Sequence, residues 1–229
     1  MKPQTSPDTV SVILPAYNEE QTLADTLAAV RAIPGVNEIV VVDDGSSDRT
    51  AEIASAAGAA VLKNERNLGK GGSMERGLRH STGEIVVFLD ADLGASAAEA
   101  EKLIQAVREG ACDMAIAQFY GGKQRKGGFG IVLGTARAGL KWKTGQEFRS
   151  PISGQRAFRR QAALDLCPIP GGFGAEVGLT IRAHRHGYRI LEVPTDMRNK
   201  ATGRTLKGFI HRGKQFMHIL KTFLTEPAR

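Results

Sequence analysis

The chain has 229 residues, 41% of them hydrophobic, and a formal net charge of +7. That is enough for one domain with a proper core, while its longest apolar runs are strand-sized and far short of the ~20 residues a membrane-spanning helix needs. A pI of about 9.6 calls for an anionic partner: nucleic acid, a membrane surface or a phosphorylated small molecule.

Met1 to Thr9 has no apolar stretch of the signal-peptide kind, so a cytoplasmic protein is expected. Val10 to Leu14 has a strand pattern, closed by Pro15-Ala16-Tyr17-Asn18, and Glu19 to Ala32 then has helical spacing at Leu23, Leu27 and Val30. The unit repeats with the apolar run Ile39 to Val42, the polar stretch Asp43 to Asp48 and a helix from Arg49 to Ala57. Ala60 to Lys63 predicts a third strand, Asn64 to Gly72 a glycine-rich loop, and Ser73 to His80 a helix. Ile85 to Leu89 is a fourth strand, ending in Asp90-Ala91-Asp92. Ser96 with Glu99 three residues on predicts a capping box for a helix over 96–109.

Beyond it, Met114 to Ala117 reads as a strand, 118–130 as a basic glycine-rich loop, and Ile131 to Trp142 as a helix. Ser153 to Phe158 enters a short strand, and a helix follows over Arg160 to Leu166. Glu176 falls in the first turn of the next helix, where capping alone could account for it. Tyr188 to Val193 is a further strand. The last element, Thr205 to Leu224, puts Leu206, Phe209, Ile210, Met217, Leu220 and Leu224 on one face and Lys207, Lys214 and Lys221 on another. Cys112 and Cys167 have no partners at metal spacing and are taken as structural thiols.

Strands alternating with helices, each apolar on both faces, predict a mainly parallel α/β sheet flanked by helices. One domain over residues 1–229 is expected, in two halves over about 10–120 and about 121–229. In such sheets ligands bind outside the carboxyl ends of the strands, where Pro15 to Glu19, Asp43 to Asp48 and Asp90 to Asp92 all fall. Asp90 and Asp92 point the same way from an extended chain, and paired carboxylates suit Mg²⁺ or Mn²⁺. Asp44 could accept from the imide N–H of uracil or guanine, Tyr17 could stack on the base, and Lys70 opens a helix from a glycine loop toward phosphate. The loop lacks the P-loop spacing, and no Gly-X-Gly-X-X-Gly follows the first strand.

Val12 to Glu19, Val42-Asp43-Asp44-Gly45-Ser46, Asn67-Leu68-Gly69-Lys70-Gly71 and Asp90-Ala91-Asp92, in that order, resemble the nucleotide-sugar half of the GT-A fold glycosyltransferases of family two. The resemblance implies a UDP- or GDP-sugar donor with Pro15, Ala16, Tyr17, Glu19 and Asp44 around the nucleoside, Lys70 and Asp90 on the donor, and a divalent cation at Asp90 and Asp92. Ser153 to Phe158 is similar to the acceptor segment of the polyprenyl-phosphate sugar transferases, which implies acceptor contacts at Gly154 and Arg156. Gly172 to Leu179 resembles glucosyl-3-phosphoglycerate synthase, in which a later histidine completes the metal site; Asn199 stands nearest here, beside Arg198 on the acceptor side.

The function expected is metal-dependent transfer of a sugar to a phosphorylated acceptor, a polyprenyl phosphate or a small phosphorylated acid. A phosphate acceptor needs little base, whereas a hydroxyl would need one, and Glu176 is the candidate, with Asp92 at the metal. Two other readings stand beside this: a sugar-1-phosphate nucleotidyltransferase, which normally opens with a glycine-rich loop after the first strand, and a basic nucleic-acid-binding module, for which no recognition motif is visible. No nucleic-acid partner is expected. The basic final helix suits peripheral contact with a membrane, and the resemblance leaves room for a homodimer.

Overall fold

Val10–Ala16 forms the central strand, β1, and its side chains are buried on both faces because every residue from Val10 to Leu14 has a covering layer above or below it. The computed structural model describes residues 8–119, 129–198 and 206–227. β1 pairs in parallel with β2 (Val36–Asp43) on one side and β4 (Ile85–Phe88) on the other, and β3 (Ala60–Lys63) extends the sheet beyond β2. The β-branched runs Ile39 to Val42 and Ile85 to Val87 fit these doubly covered positions.

The second half of the chain completes the same sheet. β5 (Met114–Phe119) and β7 (Ile190–Thr195) are parallel to each other, and the short β6 (Arg156–Arg159) is inserted antiparallel between β4 and β5. The strand order is therefore β3-β2-β1-β4-β6-β5-β7. Register decides what this insertion does: Arg156 lies opposite Phe88, so residues 153–155 arrive beside the chain leaving β4. The reversed strand delivers its N-terminal lead-in to the edge where the parallel strands end.

Alternation along the strands divides the core in two. Val12, Leu14, Val41 and Val87 pack with Leu23, Leu27 and Val30 of α1 (Leu23–Arg31) and Leu103, Ile104 and Val107 of α4 (Ala100–Arg108). Ile13, Val42, Val86 and Phe88 pack on the other face with α3 (Gly69–His80), α5 (Phe129–Thr144), α7 (Ala175–Arg185) and α8 (Leu206–Thr225). Phe88 and Phe158 meet edge to face, with centroids 5.5 Å apart, across the β4–β6 pair. The short helices α2 (Thr50–Ala56) and α6 (Arg160–Asp165) complete the layers.

Three expectations give way to local detail. Ser96 does not open a capping box: it sits in a 3₁₀ turn, Gly94–Glu99, where its hydroxyl donates to the Leu93 carbonyl and accepts from the Arg198 N–H. Glu99 accepts instead from Lys102 and from the Asp196 N–H. The helix expected from Ser73 begins at Gly69, so Lys70 lies in its first turn. Among the described side chains of α8, Ile219, Thr222 and Phe223 are buried, while Met217 and Leu224 are exposed beside Lys221. Of the expected apolar face Met217 and Leu224 thus do not dock, Leu220 is half-buried, and the side chains of Leu206, Phe209 and Ile210 lie outside the described residues. The side chains of Lys207 and Lys214, and most of the basic loop over 118–130, lie outside the described residues.

Candidate active site

The β2 end supplies the first fixed point. Asp44 is buried, and its Oδ1 accepts from the Leu68 N–H (2.8 Å) and the Asn64 amide (2.7 Å) while its Oδ2 accepts from the Gly69 N–H (2.8 Å). A carboxylate placed on the first amides of a helix satisfies donors that have no intrahelical partner. Asp44 therefore anchors the start of α3 and accepts three hydrogen bonds from the protein.

Lys70, in the turn that Asp44 anchors, reaches back across the sheet edge. Its Nζ is 2.7 Å from Asp90 Oδ1 and 2.9 Å from Glu176 Oε1. Burial works against the ammonium, but the two carboxylates outweigh it and hold the group protonated well above the ordinary lysine range. Close helix packing makes this reach possible. Gly71 lies so near the Pro170 carbonyl that a Cβ would strike that backbone, so only glycine lets α3 approach the segment leading to Glu176.

Asp90 is held from a second side. Its Oδ2 accepts from the Gln155 amide at 2.6 Å, and Gln155 Oε1 accepts from the Ser153 hydroxyl at 3.1 Å. Gly154, between them, faces Lys70 and Asp90 so closely that a Cβ would meet the ammonium. Glu176 is 5% exposed on the first turn of α7 and points at Lys70, so it does more than cap its helix.

The remaining expected residues fall into three groups. Tyr17, 52% exposed, stands at the end of β1 next to Ala16, whose carbonyl accepts from the Asp44 N–H. Asn18, in the left-handed backbone region, accepts from the Ser47 N–H, and the Glu19 N–H donates to Thr50, which draws the loops after β1 and β2 together. Pro15 is half-buried in β1. Arg198 is exposed, and its backbone is tied to Ser96, so the segment after β7 lies against the turn that follows Asp92.

Arg156 is the correction. Its guanidinium is fully buried, with Nε on the Ser153 carbonyl (3.0 Å) and Nη1 on the Thr180 hydroxyl (3.0 Å), and burial pushes it down to about 10 despite Glu176 and Glu192. It braces the 151–153 segment against α7 and has no open surface for an acceptor. Asn199 lies outside the described residues.

A divalent cation fits the donor set at the β4 end in part. Asp90 and Asp92 are hard oxygen donors, and no group of three His, Cys, Asp or Glu side chains able to hold a metal comes together among the described residues. Two carboxylates match Mg²⁺ or Mn²⁺ that takes its other ligands from water and substrate phosphates. Gln155 and Ser153 were the functional side chains that sequence reasoning passed over. They stand in the same segment as Gly154, and nothing local marks an amide as the partner of an acid 65 positions away.

The pattern of a family of known enzymes matches this chain over residues 11–169: the glycosyl transferase family 2. The chain belongs to glycosyl transferase family 2. Among the relatives of this family-two chain, glycosyltransferase AglJ of Haloferax volcanii is 32% identical over 197 residues, covering 83% of this chain and 63% of the relative. The dolichol-phosphate mannosyltransferase of Pyrococcus furiosus is 32% identical over 212 residues, 87% of this chain and 59% of that protein. The chain thus spans about three-fifths of these two relatives. The crystal structure of glucosyl-3-phosphoglycerate synthase from Mycobacterium tuberculosis, in complex with Mn²⁺, UDP and phosphoglyceric acid, superposes with a TM-score of 0.78 at 27% identity, over 95% of this chain and 78% of that one. Family two and the GT-A architecture expected from the motifs are both borne out, and of the first of the three readings the family bears out glycosyl transfer.

Proposed function

We propose that the protein transfers a sugar from a UDP- or GDP-sugar to a phosphorylated acceptor, with a divalent cation bound at Asp90 and Asp92. The observation that carries this reading is the Lys70 ammonium between Asp90 and Glu176 at the carboxyl edge of the sheet. It is supported by the Mn²⁺, UDP and phosphoglycerate bound by the mycobacterial synthase, and by the lipid-phosphate substrate in the name of the Pyrococcus relative.

The nucleoside lies along Pro15, Ala16, Tyr17 and Glu19, with Tyr17 free to stack and the remaining lone pair of Asp44 toward an imide N–H. Lys70 faces the diphosphate and stabilises the negative charge that grows on it as the sugar–phosphate bond breaks. The cation would neutralise the same leaving group when bound. Glu176, 2.9 Å from the Lys70 ammonium, takes a proton if the acceptor is a hydroxyl. Gly154 and Arg198 border the acceptor side, where Arg156 contributes by holding the segment rather than by contact. An acceptor carried by a membrane is compatible with the exposed Met217, Lys221 and Leu224 of α8, and the protein would then work at a cytoplasmic membrane face.

Titration calorimetry with UDP and GDP in the presence of Mn²⁺, followed by nucleotide release from a panel of UDP- and GDP-sugars, tests the reading. Saturable heat for one nucleotide and its release on adding polyprenyl phosphate or 3-phosphoglycerate are expected. Neither nucleotide binding, with or without Mn²⁺, would overturn it. Glu176→Gln separates the acceptor classes: transfer to a phosphate survives it, and transfer to a hydroxyl falls.

A further inference from the structure

We propose that Gln155 is a positioning residue for the transfer reaction: held by Ser153, its amide sets the Asp90 carboxylate and so the place of the Lys70 ammonium. The inference rests on the proposed donor site and adds to it a residue that touches neither donor nor acceptor.

Three observations on consecutive residues agree. Gln155 is 1% exposed, and both ends of its amide are used inside the protein: the NH₂ donates to Asp90 Oδ2 at 2.6 Å and the carbonyl accepts from Ser153 at 3.1 Å. The hydroxyl of Ser153, itself 2% exposed, thereby fixes which end of the amide faces the acid. Gly154 leaves just the space that the Lys70 ammonium fills; the place of an added Cβ is 3.1 Å from Asp90 Oδ1. The Gln155 backbone is held as well, because its carbonyl accepts from the Ala117 N–H at 3.0 Å.

The consequence is a division of the Asp90 carboxylate, with Oδ1 turned to Lys70 and Oδ2 to Gln155. A carboxylate with one hydrogen bond to each oxygen cannot rotate about its last bond without losing both. Both oxygens then keep fixed directions, as a divalent cation held at Asp90 would require. Buried amides that orient ligating acids in this way typically change metal affinity or activity by about 10–100-fold when removed.

Nucleotide affinity in Mn²⁺, kcat and KM are measured for Gln155→Leu, Gln155→Glu and Ser153→Ala, each checked by circular dichroism and melting temperature. Gln155→Leu is expected to bind the nucleotide with Mn²⁺ about 10–100-fold more weakly. Gln155→Glu sets two carboxylates face to face and should lose more. Ser153→Ala, which frees the amide to flip, should lose less. The Asp90→Asn background decides whether the loss runs through Asp90: with that carboxylate gone, Gln155→Leu should cost no further affinity, whereas losses that multiply would overturn the inference. Wild-type affinity and kcat in Gln155→Leu would overturn it too and leave the donor site standing. If Gln155→Leu does not fold, Ser153→Ala alone and in the Asp90→Asn background takes its place under the same rule. A wild-type protein that binds no nucleoside diphosphate overturns the functional reading and this inference with it.

Discussion

Lys70 Nζ and Glu176 Oε1 are 2.9 Å apart, although one stands on the first turn of α3 and the other on the first turn of α7. Two helix starts thus face each other across the carboxyl edge, and both contribute positive backbone ends beside the lysine charge. Removing the ammonium leaves Asp90 and Glu176 without their common counter-ion and the diphosphate without its cation. Lys70→Met is expected to lower kcat by about 10²–10³, the range seen when a charge-stabilising donor is lost. Turnover within a few-fold of wild type would show that the ammonium does not face the leaving group.

Asp92 is the other acid of the pair, half-buried at the β4 end. Asp92→Ala should abolish Mn²⁺-dependent transfer while the protein still melts cooperatively. Retained turnover with an unchanged Mn²⁺ requirement would take Asp92 out of the metal shell.

Gly71 tests how the two helix starts are brought together. A methyl group there meets the Pro170 backbone carbonyl, which cannot swing aside as a side chain could. Gly71→Ala should cost about 1–3 kcal/mol in stability, the usual range for overpacking, and weaken nucleotide binding as Lys70 is pushed off Glu176. Gly134→Ala, on α5 with open space around it and ordinary helical backbone, serves as the contrasting variant for packing. An unchanged melting temperature in Gly71→Ala would mean that the helices shift freely.

Acid stability follows from carboxylates at the other end of the sheet. Hydrogen bonds from Arg189 hold Asp113 below the ordinary carboxylate range, and burial opposes them only in part. Burial raises Glu75, but its bonds to Arg79 and to the Ile169 N–H outweigh this and leave it lowered. A depressed carboxylate stabilises the fold above the unfolded-state pKa, about 4, and that contribution is lost as pH falls through the lower folded-state value. The melting temperature should be flat from neutral pH to about 5 and fall below about 4. In Asp113→Asn the neutral-pH value is lower and the acid limb shallower. Parallel limbs in the two proteins would remove Asp113 from the account.

Trp142 is 71% exposed on α5, and Met217 and Leu224 are 62% and 86% exposed on α8, with Lys141 and Lys221 also at the surface. The two helices pack together through Gly139 and Phe223. Apolar tips among lysines suit an anionic bilayer surface. The protein should sediment with phosphatidylglycerol vesicles more than with phosphatidylcholine vesicles, and Trp142→Ser with Leu224→Ser should weaken this. Equal recovery with both lipids would argue against docking by this face.

The parallel strands and their polar ends were legible because doubly buried strands show as unbroken apolar runs, and Asp43-Asp44 and Asp90-Ala91-Asp92 terminate two of them abruptly. The reversal of β6 was not: Arg156-Ala157-Phe158-Arg159 has the same pattern in either direction. Arg156 misled for a related reason, since a guanidinium beside an acceptor-like motif reads as exposed unless Thr180 is known to lie opposite. On α8 the helical period does not reveal that Phe223 packs on Gly139 while Met217 and Leu224 stay exposed. Asp44 was placed at the right edge, but its bonds to Leu68 and Gly69 depend on a loop fold that no spacing reveals.

The antiparallel strand also bears on how such an enzyme diversifies. β5 runs up to the carboxyl edge and β6 starts back from it, each pinned by its neighbours in the sheet. The chain between Phe119 and Ser153 therefore begins and ends at points the sheet fixes, and apart from α5, whose Val132, Ala136 and Leu140 are buried in the core, its length and chemistry are open to exchange while the acid, amide and ammonium at the rim stay where they are.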